Sequence, residues 1–134
     1  MDIASLFEQY KTLLDEHTKL DEINLKEAQL KLPGYKHFWA GKCIIHKRDL
    51  HKLKRQRETL KKQLVDKISA EPTVEMSKAA ITNRVSQLPE IQNIDKEIED
   101  METLILYVEK AEQIFKSMSF DIKNLVDIQK LEQL

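Results

Sequence analysis

The chain has little with which to turn. Among 134 residues there are two glycines and three prolines, too few for the many tight turns of a sandwich or barrel. The same scarcity works against a phosphate-cradling loop, and neither a Walker motif, a G-x-G-x-x-G nor a G-x-S-x-G occurs. One cysteine, Cys43, cannot form an internal disulfide and suits a reducing compartment. Apolar runs fall short of the ~20 residues that a membrane span needs. The acidic, amphipathic start MDIASLFEQY reads as neither a signal nor a transit peptide. The expectation is a cytoplasmic protein with no membrane partner.

Charge is abundant, and its average misleads. Net charge is −1, yet residues 36–67 hold eleven Lys and Arg against three acids, a local +8. Residues 89–117 hold eight acids and three lysines, a local −5. Two oppositely charged segments make a nearly neutral chain strongly polarised, and a solvated helix face is as open a reading of the basic one as a partner of opposite charge.

Apolar spacing is helical throughout, so the fold class is all-α: long amphipathic helices in a hairpin or bundle. Ile3, Leu6, Phe7, Tyr10, Leu13 and Leu14 mark an N-terminal helical part over 1–32. Ser5 and Glu8 have the spacing of a capping box. Pro33-Gly34 is expected to break the helix there, since proline removes a donor and biases Leu32 away from the α region. Trp39, Cys43, His46, Leu50, Leu53, Arg57, Leu60 and Leu64 then step by four and three, a heptad seam for a basic helix over 36–68. Ala70-Glu71-Pro72-Thr73 reads as a connection, followed by a short helix near 77–87. Pro89 suits a first helical turn and opens an acidic-apolar helix over 89–117. Ser119 is a candidate cap for a last helix over 120–134. In that tail Phe120, Ile122, Leu125, Val126, Ile128 and Leu131 are apolar and call for burial by docking or self-association. The whole, 1–134, is expected to form a single helical domain.

Within the basic helix, Lys47-Arg48, Lys54-Arg55 and Lys61-Lys62 recur every seven residues, roughly 10 Å apart along the axis. A face kept only for solubility mixes signs, because i,i+4 pairs of opposite charge stabilise it. Six like charges in line repel one another unless a polyanion or an acidic partner neutralises them. A row of Lys47, Arg48, Lys52, Lys54, Arg55, Lys61 and Lys62 fits a nucleic-acid backbone, whose phosphates release counterions on neutralisation. Arg57 lies in the seam, where pairing with an acid on the second long helix is the commoner role and setting the register, as buried polar residues can, is the other. Tyr35, Phe38 and Trp39 precede the row; stacking on bases is one role for them, burial in the core the commoner one. His17, His37, His46 and His51 lack metal-ligand spacing, and no paired carboxylates suggest acid–base work. No metal, cofactor or catalytic residue is expected.

The string IFKSMSFDIKNLVDIQKLEQ, Ile114 to Gln133, resembles the end of the UvsY family, recombination mediators of T-even-like phages. In that family a Lys-Ser pair, a Phe and an Ile-Lys precede a similar amphipathic tail. Here they are Lys116-Ser117, Phe120 and Ile122-Lys123. The upstream order matches as well, from Trp39 through Lys47-Arg48-Asp49, a basic helix and a variable loop to an acidic-apolar helix. The resemblance spans about Tyr35 to Gln133. The family's Leu-Lys-Ala-Arg-Leu element for single-stranded DNA falls on Leu60, Lys61, Lys62, Gln63 and Leu64, with glutamine where the family has arginine. The resemblance implies a ring-like homo-oligomer of about six or seven subunits, held partly by the C-terminal helix. It also implies binding of single-stranded DNA, loosening of single-strand-binding protein, and help for a RecA-like recombinase in assembling. Two other classes share the charge pattern. One is a structural or adaptor coiled coil whose basic segment pairs with a neighbour's acidic one. The other is a helical RNA-binding or ribosome-associated factor.

Overall fold

A computed structural model describes residues 2–71 and 76–134. Among them the chain forms four helices and no strand: α1 (Ile3–His17), α2 (Leu25–Ser69), α3 (Lys78–Ser86) and α4 (Pro89–Glu132). The chain divides into two compact units. Unit 1 holds residues 1–45 and 104–134, and unit 2 holds His46–Thr103, so α2 and α4 each contribute a stretch to both. The fold is all-α, as the apolar spacing predicts.

Helix α1 is capped by Asp2, whose Oδ1 accepts the Ala4 amide at 3.1 Å. The Ser5–Glu8 box is therefore not the start; the acid one turn earlier takes that role. At the other end the Thr18 amide donates to the Leu14 carbonyl, and its hydroxyl does so at 2.7 Å.

The expected break at Pro33-Gly34 does not occur. Helix α2 begins eight residues earlier and runs through Pro33. Its start is set by a reciprocal turn: Asp21 Oδ1 accepts the amides of Ile23 and Asn24, and Asn24 Oδ1 accepts the amide of Asp21, each at 2.8 Å. Such local side-chain bonds end one conformation and open another. The buried residues Leu25, Ala28, Leu32, Trp39 and Cys43 then continue one stripe past the proline. Each large one contributes about 1.5–3 kcal/mol on burial, against the ~3 kcal/mol that an interior proline costs. Pro33, Gly34 and Gln29 lie on the exposed side, where water can satisfy the Gln29 carbonyl that loses its amide partner. Packing outweighs propensity. Substituting Pro33→Ala is therefore expected to stabilise the protein by about 2 kcal/mol, the propensity gain less the unfolded-state entropy that proline removes. Denaturant unfolding followed by circular dichroism checks this, and a loss of stability would contradict a continuous helix.

Ser119 likewise does not start a new helix, because α4 passes through it without interruption. Val108, Ala111, Phe115, Met118 and Ile122 are all buried at steps of three and four. That stripe gives the chain no reason to stop. Pro89 does occupy the first position of α4, and the short helix appears as α3 with Ser77 as its N-cap. Of the expected connection at 70–73, Pro72 and Thr73 lie outside the described residues.

Unit 1 packs around Trp39 and Phe115, both with no exposed surface, together with Tyr10, Leu104 and Val108. Gln129 of α4 donates to the Glu22 carbonyl at 2.9 Å, tying the C-terminal stretch to the α1–α2 link. Unit 2 packs Ile68 of α2, Ile81 and Val85 of α3, and Ile91 of α4 into one cluster, with Leu60, Leu64, Val65, Met76 and Leu88 around it.

Candidate nucleic-acid interface

Leu50, Leu53, Leu60 and Leu64 of α2 are half-buried and turn inward in unit 2. This fixes where the bases point. Successive residues on a helix are about 100° apart, so the three basic pairs split into two lines rather than one face. Arg48, Arg55 and Lys62, joined by Lys52, lie opposite the leucines and are exposed. Lys47, Lys54 and Lys61 lie along a flank. A sequence repeat of seven cannot by itself tell a pair of adjacent bases from two separate rows.

The flank meets the acidic helix. Lys54 Nζ stands 4.0 Å from Glu102 Oε1, both side chains about half exposed. At that distance and exposure the pair is worth little. Arg57, inward of the flank, donates through Nε to Asp95 Oδ1 at 2.5 Å and through Nη1 to Glu58 at 3.2 Å. The bond to Asp95 raises the guanidinium's already high pKa against the opposing effect of burial. Arg57 thus pairs with an acid of the second long helix, the commoner of the two roles its seam position leaves open.

The outer line is different. Among the described residues, no ion pair takes up Arg48, Lys52, Arg55 or Lys62. Arg48, His51, Lys52 and Arg55 line one shallow depression on the helix, with Glu58 as its one acid. Lys52, Arg55, Gln56 and Gln63 line the next. Gln63, where the family's DNA element has arginine, thus borders cations and adds none.

The aromatic residues ahead of the ridge belong to the core of unit 1. Trp39 stacks near Phe115 with ring centroids 6.3 Å apart, and meets Tyr10 edge-on at 5.5 Å. Its indole N–H donates to His17 Nδ1 at 3.1 Å, while the His17 ring lies flat on Tyr35 at 3.9 Å. Burial lowers the pKa of His17, more than offsetting nearby Glu16, and favours the neutral ring that can accept this bond. Phe38 is half-buried, with Lys42 Nζ 5.4 Å from its ring centre. Trp39 has no free face on which a base could stack.

The apolar tail divides in two. Ile122 is buried within unit 1, with 4% of its surface exposed, and Leu125 and Val126 are half-buried. Phe120, Ile128 and Leu131 point outward, the first and last each 68% exposed. Elsewhere among the described residues no three His, Cys, Asp or Glu side chains converge as metal ligands. No helix there is long and apolar enough to cross a membrane.

The chain matches no family model and no curated protein by sequence. Its structure places it in a fold already seen in crystals, that of a phage recombination mediator. That protein is UvsY of bacteriophage T4. Its lattice type IV crystal structure superposes with a TM-score of 0.80 at 19% identity, over 98% of this chain and 99% of UvsY. A second crystal structure, lattice type II, gives 0.80 at 18% identity over 95% and 97%. At that identity the likeness establishes the shared fold. The resemblance carried by Ile114–Gln133 is thus matched by a structural one along nearly the whole chain.

Proposed function

We propose that this protein is a recombination mediator: it binds single-stranded DNA and helps load a RecA-like recombinase onto strand covered by single-strand-binding protein. The observation that carries this reading is the outer line Arg48, Lys52, Arg55 and Lys62, exposed and taken up by no carboxylate among the described residues. Cations held in that state gain by meeting phosphates, each contact releasing counterions. Lys47, Lys54 and Lys61 extend the positive surface along the flank. The fold shared with T4 UvsY supports the same reading.

Mediation needs no bond chemistry, so the protein is not an enzyme. It needs only that DNA bound here differ in affinity for its two other partners, since a binder shifts an equilibrium by its differential affinity. Self-association follows from the tail. Phe120, Ile128 and Leu131, flanked by Leu125 and Val126, present apolar surface that a second copy would cover, with Ile122 holding the helix to its own chain. A ring of such copies multiplies weak phosphate contacts through effective concentration.

The test is a recombinase loading assay. Single-stranded DNA saturated with single-strand-binding protein suppresses the DNA-dependent ATPase of a RecA-like recombinase from the same source. Adding this protein is expected to restore that ATPase. Binding of the protein to DNA without any restoration would reduce the reading to a plain DNA-binding oligomer.

A further inference from the structure

Unit 2 carries a second basic concavity. Between the C-terminal half of α2 and α3 lies an open groove of about 520 Å³, within the size range of small-ligand sites. Lys61 of α2 and Lys78 of α3 line it, as do the side chains of Asn83 and Ser86. Ala79 and Thr82 are exposed on the same face of α3 as Asn83 and Ser86, while Val85 and Ile91 border the groove from within the core, with at most 1% of their surface exposed. Arg57 also borders the groove, though its guanidinium is engaged by Asp95 and Glu58. Among the described residues no acid lines it. A face of small and polar side chains with cations from two helices forms a distinct kind of surface. It differs from the outer ridge, which lies along a single helix and offers mainly charge.

We infer that this groove seats one nucleotide of a single strand, with its base against the Ala79–Thr82–Asn83 face of α3 and its phosphate between Lys61 and Lys78. The inference rests on the reading of the ridge as a nucleic-acid interface, and Lys61 links the two surfaces. The Asn83 amide offers both a donor and an acceptor, matching the hydrogen-bonding edge of a base. The Ser86 hydroxyl donates to the Asn83 carbonyl at 2.6 Å, which leaves its oxygen to accept. Only an unpaired strand can turn a base away from its neighbours into such a groove, so the site distinguishes single strands from duplex. A groove that holds a base out of line also bends the strand.

The test uses the full-length protein and two oligonucleotides of equal length, oligo(dT) and an abasic strand, with affinity measured across salt. Lys78→Ala is expected to reduce the steepness of the salt dependence by about 0.7 on both, one phosphate per engaged subunit. Asn83→Ala is expected to weaken oligo(dT) about 5-fold and leave the abasic strand unchanged, the worth of about one hydrogen bond. If both variants match the wild type while reversal of Arg48, Arg55 and Lys62 removes binding, the ridge stands and the groove is overturned. If Lys78→Ala acts but Asn83→Ala does not, the groove takes phosphate only and the seated base is overturned. If the wild type binds neither strand, the nucleic-acid reading fails and takes this inference with it. Circular dichroism excludes misfolding, since Lys78 and Asn83 are exposed.

Discussion

Reversing Arg48, Arg55 and Lys62 together to glutamate is expected to weaken single-stranded DNA binding by roughly 100-fold. Each exposed charge-assisted contact is worth about 1 kcal/mol, so three of them exceed two decades in affinity before repulsion from the new acids is added. The loss should be alike for all sequences, because phosphate contacts position a strand without reading it. All three residues are exposed and outside the apolar packing, so thermal stability should change by no more than about 0.5 kcal/mol per site. Reversal of Lys26, Lys110 and Lys116 together, three exposed bases of unit 1, is the control. It changes net charge in the same direction and should leave affinity nearly intact. Fluorescence anisotropy with a labelled oligonucleotide measures all of these. Equal losses in the ridge variant and the control would mean that overall charge, and not the ridge, carries the affinity.

Phe115→Ala is expected to cost about 3–5 kcal/mol of stability, the range for removing a fully buried aromatic ring. Phe115 has no exposed surface and packs against Trp39, His17 and Tyr35. Five residues further along the same helix, Phe120 is mostly exposed. Phe120→Ala should barely alter the fold of one chain, yet should lower the mass of the particle in solution if the outward tail residues join copies. Denaturant midpoints and sedimentation separate the two effects. A Phe120 variant that unfolds early, or a Phe115 variant that does not, would place the core elsewhere.

These two phenylalanines show what the sequence makes legible. Steps of three and four identify the helices and their buried stripes, and Phe115 falls on the α4 stripe without ambiguity. Arg57 is legible too, because a lone cation in an apolar seam needs an acid opposite. Helix ends were harder. Pro33-Gly34 reads as a stop on local rules, yet Leu25, Ala28 and Leu32 continue the stripe that begins on its far side, and the proline falls on the solvent face. The Asp21–Asn24 turn that does open α2 is written in the sequence as two side chains three residues apart, a spacing easily passed over beside a proline. At Ser119 the buried run Phe115, Met118, Ile122 again outweighs a good capping residue.

The ridge was half legible. A seven-residue repeat of basic pairs announces a charged helix face, but only the rotation of α2 separates the outer line from the flank that meets Glu102. The groove on α3 was not legible at all, since Lys61 and Lys78 are distant in sequence and lie on different helices. Tertiary proximity of that kind leaves no local spacing to read.

The dependence of single-stranded DNA affinity on salt tests the central claim most directly. With the four outer cations each on a phosphate, the logarithm of the association constant should fall linearly with the logarithm of salt, with a slope near −3 per engaged subunit, at ~0.7 for each contact on a single strand. The R48E/R55E/K62E variant should flatten that slope. A wild-type affinity that stays constant between about 50 and 200 mM salt would contradict phosphate recognition by this ridge.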